Sequence, residues 1–234
     1  MTESPVSLIT GGSTGIGAAT ARKLLDRGHR VAVTARRKER LDSFAASVAS
    51  PDRLLTIPGD AAEVDDVRSA VAATLERFGR IDTAIANAGY ATFDSVTDGD
   101  PEGWRHMVLT NVLGPMLLAN AVIPALRRSR GRIVMVGSVA GLVHTPGNVY
   151  GATKWAVTGL AENTRRAVTD DGIGVTLVAP GRVETNFWEA GGDGPPAGLN
   201  LTDDQLADTI VFAATQPAGV DVNTLVVRPV GQPV

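Results

Sequence analysis

The sequence predicts an α/β fold in which one parallel sheet carries helices on both faces. Three observations lead there. Short apolar runs alternate with longer amphipathic stretches along the chain. The runs are rich in Val, Ile and Leu without strict polar alternation, the pattern of strands buried on both faces. A glycine-rich turn, "TGGSTGIG" at 10–17, joins the first run to the first amphipathic stretch and opens a βαβ unit ending near residue 35. Strands alternating with helices imply crossover connections within a single parallel sheet.

The elements follow in order. "VSLIT" (6–10) reads as the first strand. "IGAATARKLLDRG" (16–28) reads as a helix closed by Gly28, a residue suited to the left-handed C-terminal position. "RVAVTA" (30–35) and "LLTI" (54–57) are the second and third strands. In 64–79, Val64, Val67, Val71 and Leu75 fall on one helical stripe, and Gly79 ends it. "IDTAIANA" (81–88) is the fourth strand, and 103–128 is a long helix that Pro124 should kink or shorten. "RIVMVGS" (132–138), a second long helix over 149–168, "GVTLVAP" (174–180) and "TLVVR" (224–228) complete the series. One segment breaks the rhythm. "EAGGDGPPAGLN" (189–200) is too dense in Gly and Pro for a regular helix or strand, and it reads as a flexible lid over a site.

Composition narrows the function. The length, 234 residues, suits one large domain or two small ones, and 20% charged residues is ordinary for a globular protein. A net charge of −3 argues against nucleic acid and acidic membrane as partners. The basic clusters at 36–40 and 127–132 read as solvated helix ends. Without cysteine there is no thiol nucleophile, disulfide or cysteine zinc site. His29, His106 and His144 have no metal-ligand spacing, so no metal is expected. The first residues lack the basic and apolar regions of a secretory signal, and no apolar run reaches the roughly 18–20 residues of a membrane span. A cytoplasmic protein is expected.

The glycine-rich turn is the first site feature. Gly11, Gly15 and Gly17 let the backbone of Ser13, Thr14 and Ile16 approach a pyrophosphate at a helix N-terminus. The second strand then selects the nucleotide. An acid at its end would bond the ribose hydroxyl of NAD, but here Arg36 and Arg37 follow Ala35. Guanidinium groups grip a 2′-phosphate, which an acid would repel, so NADP(H) is expected. Asp60, with Ala61 beside it, ends the third strand. Asp60 either accepts from an adenine amino group or caps the following helix. Asn87, Ala88 and Gly89 end the fourth strand at the same rim.

The second feature is Tyr150 and Lys154 in "GNVYGATKWAV", four residues apart and so on one helical face. A free tyrosine has a pKa of about 10, too high for a base at neutral pH. Lowering it by about 2–3 units costs roughly 3–4 kcal/mol. One positive charge at ~4 Å, in an effective dielectric of ~20, supplies about 4 kcal/mol. Lys154 therefore has the right sign and size to activate Tyr150. Ser138, at the fifth strand end, can hold a substrate oxygen. Asn111, a mediocre helix former within a helical stretch, can position a water linked to Lys154.

With "TGGSTGIG", "ANAG", Asn111, Ser138, "YGATK" and "PGRVET" (180–185) in this order, the sequence resembles the short-chain dehydrogenase/reductase family along essentially its whole length. It departs from the family at Ala86, where Asn is usual. The resemblance implies a single Rossmann-type domain with a doubly wound seven-stranded sheet. It implies Tyr150 as acid/base with Lys154, Ser138 and Asn111 in the roles above, and Lys154 also bonding the nicotinamide ribose. It places Pro180, Gly181, Val183 and Thr185 around the nicotinamide amide, and it implies a homotetramer or homodimer. "GHRVAVTARRKERLD", "GNVYGATK" and "PAGVDVNTLVVRPVGQ" are similar to a branch that includes NADP-dependent 3-hydroxy acid dehydrogenases of serine-like compounds. The expected substrate is a small carbonyl or alcohol, such as a 3-hydroxy acid or semialdehyde. A 3-oxoacyl-thioester or polyketide-type ketoreductase and a non-catalytic NADP-binding sensor are the alternatives. Candidate substrate residues are Ser138, Val139, Ala140, His144, Arg182, Glu184, Phe187 and Trp188, with Arg182 as a carboxylate partner unless Glu184 pairs with it.

Overall fold

In the computed structural model, which describes residues 4–191, 194 and 197–233, seven strands form one parallel sheet. They are β1 (Val6–Thr10), β2 (Arg30–Ala35), β3 (Leu54–Pro58), β4 (Thr83–Ala86), β5 (Arg132–Val136), β6 (Gly174–Pro180) and, after two short strands, β9 (Thr224–Val227). The order is β3-β2-β1-β4-β5-β6-β9. β1 pairs with β2 from Val6↔Arg30 to Thr10↔Thr34 and with β4 from Ser7↔Thr83 to Ile9↔Ile85. The direction of winding reverses between β1 and β4. In such sheets a crevice opens outside the carboxyl ends of the strands at that point. This is the doubly wound Rossmann architecture.

Adjacent strand residues point to opposite faces, and this divides the core in two. On one face Leu8, Ile133 and Met135 pack with Leu118, Val122 and Leu126 of α5 (Gly114–Ser129), Val157 of α6 (Val149–Val168), and Val67 and Val71 of α3 (Val64–Phe78). On the other, Ile9, Val33 and Val134 pack with Leu24 and Leu25 of α1 (Gly15–Asp26), Leu41 and Phe44 of α2 (Lys38–Ala46), and Leu206 and Ile210 of α7 (Asp203–Ala214).

Two expectations are corrected. Pro124 does not end its helix, because α5 runs through it to Ser129 and closes on Arg130 in the left-handed conformation. The lost hydrogen bond is offset by the burial of Val122, Ala125 and Leu126 around it. The irregularity lies upstream instead. α4 (Pro101–Val108) passes through a π-helical turn, Leu109–Leu113, before α5 begins. This continuous rod, Pro101–Ser129, is long and apolar enough by composition to cross a membrane, but it lies within the fold with Leu118, Val122 and Leu126 fully buried.

The second correction concerns 189–200. Asn186–Gly191 forms a 3-10 helix, so this segment begins in helical turns. β7 (Val183–Glu184) and β8 (Leu201–Thr202) pair in parallel at its two ends. Residues 192, 193, 195 and 196 of the expected lid lie outside the described residues.

Candidate active site

The glycine turn is a close backbone crossing. Gly11 and Gly15 have φ +67° and +51°, where a side chain is strained. A Cβ on Gly17 would stand 2.3 Å from the Gly11 carbonyl oxygen. Asn87 locks the crossing, its amide donating to the carbonyls of Thr10 and Gly11 at 3.0 Å each. Thr10 returns the tie by accepting from the Asn87 and Ala88 N–H groups at 3.2 Å. Thr14 makes no side-chain capping bond and no acid stands in the first turn of α1, so this helix end is electrostatically suited to an anion.

A cavity of about 800 Å³ starts at this turn and ends at Tyr150. Its floor holds Gly11, Ser13, Thr14, Gly15 and Ile16, then Asp60, Ala61, Asn87, Ala88 and Gly89. Gly17 lies beneath the floor rather than on it. Three arginines, Arg36, Arg37 and Arg40, stand at the β2 end. Arg40 was missed in the sequence; it stands in the first turn of α2, just past Arg36 and the helix-capping Arg37. Asp60 does not cap α3, which starts at Val64. It accepts from the Ala62 N–H at 2.9 Å in a preceding turn and faces Arg36 at 4.0 Å. That ion pair is long and Arg36 is two-thirds exposed, so it contributes little and leaves the guanidinium accessible.

The other end is built by α6. Asn148 caps this helix by accepting from the Gly151 N–H at 2.8 Å, which places Tyr150 in the first turn. The 3-10 turn Val139–Gly141 rides directly on α6, where a Cβ on Gly141 would stand 2.5 Å from the Lys154 carbonyl oxygen. That close approach sets Ser138 beside Tyr150 as its hydrogen-bond partner. Ser138 also accepts from the Ala140 N–H at 3.1 Å. Lys154 is buried, donates to the Val136 carbonyl at 3.0 Å, and lies 5.7 Å from the centre of the Tyr150 ring.

The expected acidification of Tyr150 is not what this geometry gives. Burial pushes the phenol up to about 12, with Ser138 opposing the rise. Lys154 is itself pushed down to about 8 by burial. The physical reason is lost water, since both groups are buried. The ammonium also sits over the tyrosine ring and spends a donor on Val136.

Asn111 also departs from expectation. Its buried amide donates to the Tyr90 carbonyl at 2.8 Å and to Thr153 Oγ1 at 3.0 Å, and its oxygen accepts from the Tyr90 N–H at 3.1 Å. The side chain is a brace between the loop after β4 and α6. Pro115 has no N–H, so the i+4 donor that a regular helix would offer the Asn111 carbonyl does not exist.

Val139, Pro180, Gly181, Arg182, Val183, Thr185 and Trp188 all line the cavity. His144 does not. It is exposed and stacks on Trp155 with ring centres 5.1 Å apart, because the Trp155 indole is fixed to the Val143 carbonyl just before it. Arg182 donates to the Ala197 carbonyl at 3.3 Å. Lining residues missed in the sequence include Tyr90, Phe93, Asn186 and Gln232. Gln232 reaches the site from the far end of the chain by accepting from the Arg182 N–H at 2.9 Å, a tertiary contact without a local signal.

A family model described as short chain dehydrogenase matches residues 5–194. The chain belongs to the short-chain dehydrogenase family. An uncharacterized oxidoreductase of Staphylococcus haemolyticus is 34% identical to this dehydrogenase-family chain over 227 residues, 96% of this chain and 97% of the relative. One from Staphylococcus epidermidis is 32% identical over the same shares. An alcohol dehydrogenase from the archaeon Thermococcus sibiricus, solved with 5-hydroxy-NADP, superposes with TM-score 0.89 at 29% identity and covers 98% of each chain. A 3-ketoacyl-(acyl-carrier-protein) reductase from Brucella melitensis, solved with NADH, gives TM-score 0.86 at 26% identity over 97% of each. The family is one of nicotinamide-dependent oxidoreductases. The cavity here fits such a cofactor, since the uncapped N-terminus of α1 and the glycine turn open into the same space as Tyr150 and Lys154.

Proposed function

We propose that this short-chain dehydrogenase is an NADP(H)-dependent oxidoreductase that interconverts a small carbonyl compound and its alcohol. The observation that carries the reading is a single cavity joining a glycine cradle, flanked by three arginines, to the Ser138–Tyr150–Lys154 group. The cradle at Gly11 to Gly17 suits a pyrophosphate and Arg36, Arg37 and Arg40 suit a 2′-phosphate, with Pro180, Gly181, Val183 and Thr185 toward the nicotinamide. When bound, the nicotinamide supplies or accepts the hydride.

The rest falls to this chain. In reduction, Tyr150 donates its phenolic proton to the carbonyl oxygen, and a phenol held near 12 is fully protonated at neutral pH for that task. Ser138, whose oxygen accepts from Ala140 and which partners Tyr150, can turn its O–H to orient the same oxygen. Lys154, near 8, can return a proton to Tyr150. Asn111 holds the loop and the helix in register through Tyr90 and Thr153.

The test follows reduced-nicotinamide absorbance with NADPH and NADH in parallel, over aldehydes, ketones, semialdehydes, 3-hydroxy acids and 3-oxoacyl thioesters. Turnover with NADPH that Tyr150→Phe abolishes supports the reading, and NADPH binding without any turnover overturns it in favour of a sensor. The likeness to the Brucella reductase favours 3-oxoacyl thioesters as a second reading. Exposed Val108, Met116 and Trp155 on α4, α5 and α6 support assembly into a homodimer or homotetramer, which light scattering reads directly.

A further inference from the structure

Resting on that proposed reaction, we infer that the substrate carries a bulky apolar or aromatic group, and that Phe93, Phe187 and Trp188 hold it against Tyr150. These rings form one cluster. Phe187 is at its centre, 5.5 Å from Tyr150, 5.2 Å from Phe93 and 5.3 Å from Trp188, each in edge contact. Phe93 closes the group by stacking on Trp188 at 5.4 Å. All four line the same cavity.

Two features set this cluster apart from ordinary packing. Phe93 is held at φ +60°, a left-handed conformation that costs a residue with a Cβ about 1 kcal/mol or more. It is also 41% exposed, so core burial does not repay that strain. The surrounding loop enforces it. Ser95 bridges Asn148, and the Val96 N–H donates to the Gly147 carbonyl at 3.0 Å, which pins the loop across the start of α6. Trp188 is fixed from the other side, its indole donating to the Val183 carbonyl at 2.8 Å. The rings are thus preorganised at the mouth of the site, next to the phenol.

The polar side chains here argue the same way. Arg36, Arg37 and Arg40 belong to the opposite end of the cavity. Lys154 is buried and bonded to Val136, and Arg182 donates to a main-chain carbonyl. Asp94 accepts from Thr92 and from the Trp104 indole. At this end the rings outnumber the cations, with Lys154 buried and Arg182 giving one of its donors to the main chain. An aryl or branched alkyl group gains stacking and burial against three rings, whereas a carboxylate set among them would lose water.

The experiment compares kcat/KM with NADPH for aryl aldehydes and aryl alkyl ketones against semialdehydes and 3-oxo acids of similar length. We expect at least a tenfold preference for the aryl compounds. Phe187→Ala should raise KM for them about tenfold with a smaller change in kcat, and by clearly less for short aliphatic aldehydes. Phe93→Gly, which relieves the backbone, should reduce the preference without loss of thermal stability. Equal or better turnover of the acids overturns the inference and leaves the proposed reaction standing. Aryl preference that survives both substitutions overturns the role of the rings. NADPH binding with no turnover of any compound overturns the reaction and the inference together.

Discussion

The two ends of the cavity are made of different material. At the β1–β2 end the walls are main chain, with Gly11, Gly15 and Gly17 crossing under Asn87 and an uncapped helix end above them. At the α6 end the walls are side chains, with Tyr150, Lys154 and Ser138 set among Phe93, Phe187 and Trp188. A main-chain wall can only recognise what is common to a ligand class, such as a pyrophosphate. A side-chain wall can be altered residue by residue. Binding and chemistry should therefore fail separately when each end is damaged.

The largest expected effect is at the side-chain end. Tyr150→Phe keeps the ring contact with Phe187 and removes only the hydroxyl. We expect kcat to fall by about 10³-fold, roughly 4 kcal/mol of barrier. NADPH affinity, measured by fluorescence titration, should be unchanged. A parallel loss of NADPH affinity would show that the two ends are one unit and break the comparison.

Gly17→Ala attacks the other end. Its new methyl would meet the Gly11 carbonyl oxygen at 2.3 Å and the Asn87 amide at 2.5 Å, and neither can move without the whole turn. The expected cost is about 2–3 kcal/mol of stability, a Tm lower by roughly 5–10 °C, with NADPH binding lost. Calorimetry and titration read both. An unchanged Tm with intact binding would mean that the crossing is not the constraint it is taken to be.

The same division decides what could be read from the sequence. The main-chain end was legible because glycine spacing, strand ends and the βαβ rhythm are local. The seven apolar runs map onto the seven strands of the sheet, with the fourth, fifth and last trimmed to 83–86, 132–136 and 224–227 and the third extended to 58. Tyr150 and Lys154 were legible through their i,i+4 spacing. Their electrostatics were not, because spacing fixes a shared face but says nothing of the Val136 carbonyl that holds the ammonium or of the burial that raises the phenol. Phe93 gave no signal, since a left-handed phenylalanine depends on the distant Ser95–Asn148 bridge. The π-helical turn at 109–113 was equally silent, and Pro124 drew attention that belonged upstream.

Lys154 sharpens the comparison from the stability side. Its pKa falls from an ordinary 10.5 to about 8, so the unfolded chain binds this proton more tightly than the fold does. From this group, stability rises with pH between about 8 and 10.5, and the penalty is complete below that window. Lys154→Met, which removes the buried charge, is expected to raise stability by about 1–3 kcal/mol at pH 7 while abolishing turnover. The gain should shrink as pH approaches 10.5. A gain that is constant across the window, read as Tm against pH, would mean that burial does not lower the Lys154 pKa in the fold.

The smallest expected effect concerns the three arginines, where side chains stand on the main-chain end. Arg36 is exposed and only loosely opposed by Asp60, so its removal should cost little stability. A 2′-phosphate would nonetheless lose one charge-assisted partner. We expect Arg36→Ala to raise the KM for NADPH about tenfold, roughly 1.4 kcal/mol, and to leave the KM for NADH unchanged. Arg40→Ala should act in the same direction more weakly, because α2 holds it further round the rim. Salt separates this from a structural effect, since the difference between wild type and variant should narrow as ionic strength rises past the Debye regime. Equal changes with both nucleotides would mean that the arginines support the strand end and that the choice of nucleotide lies in the glycine turn itself.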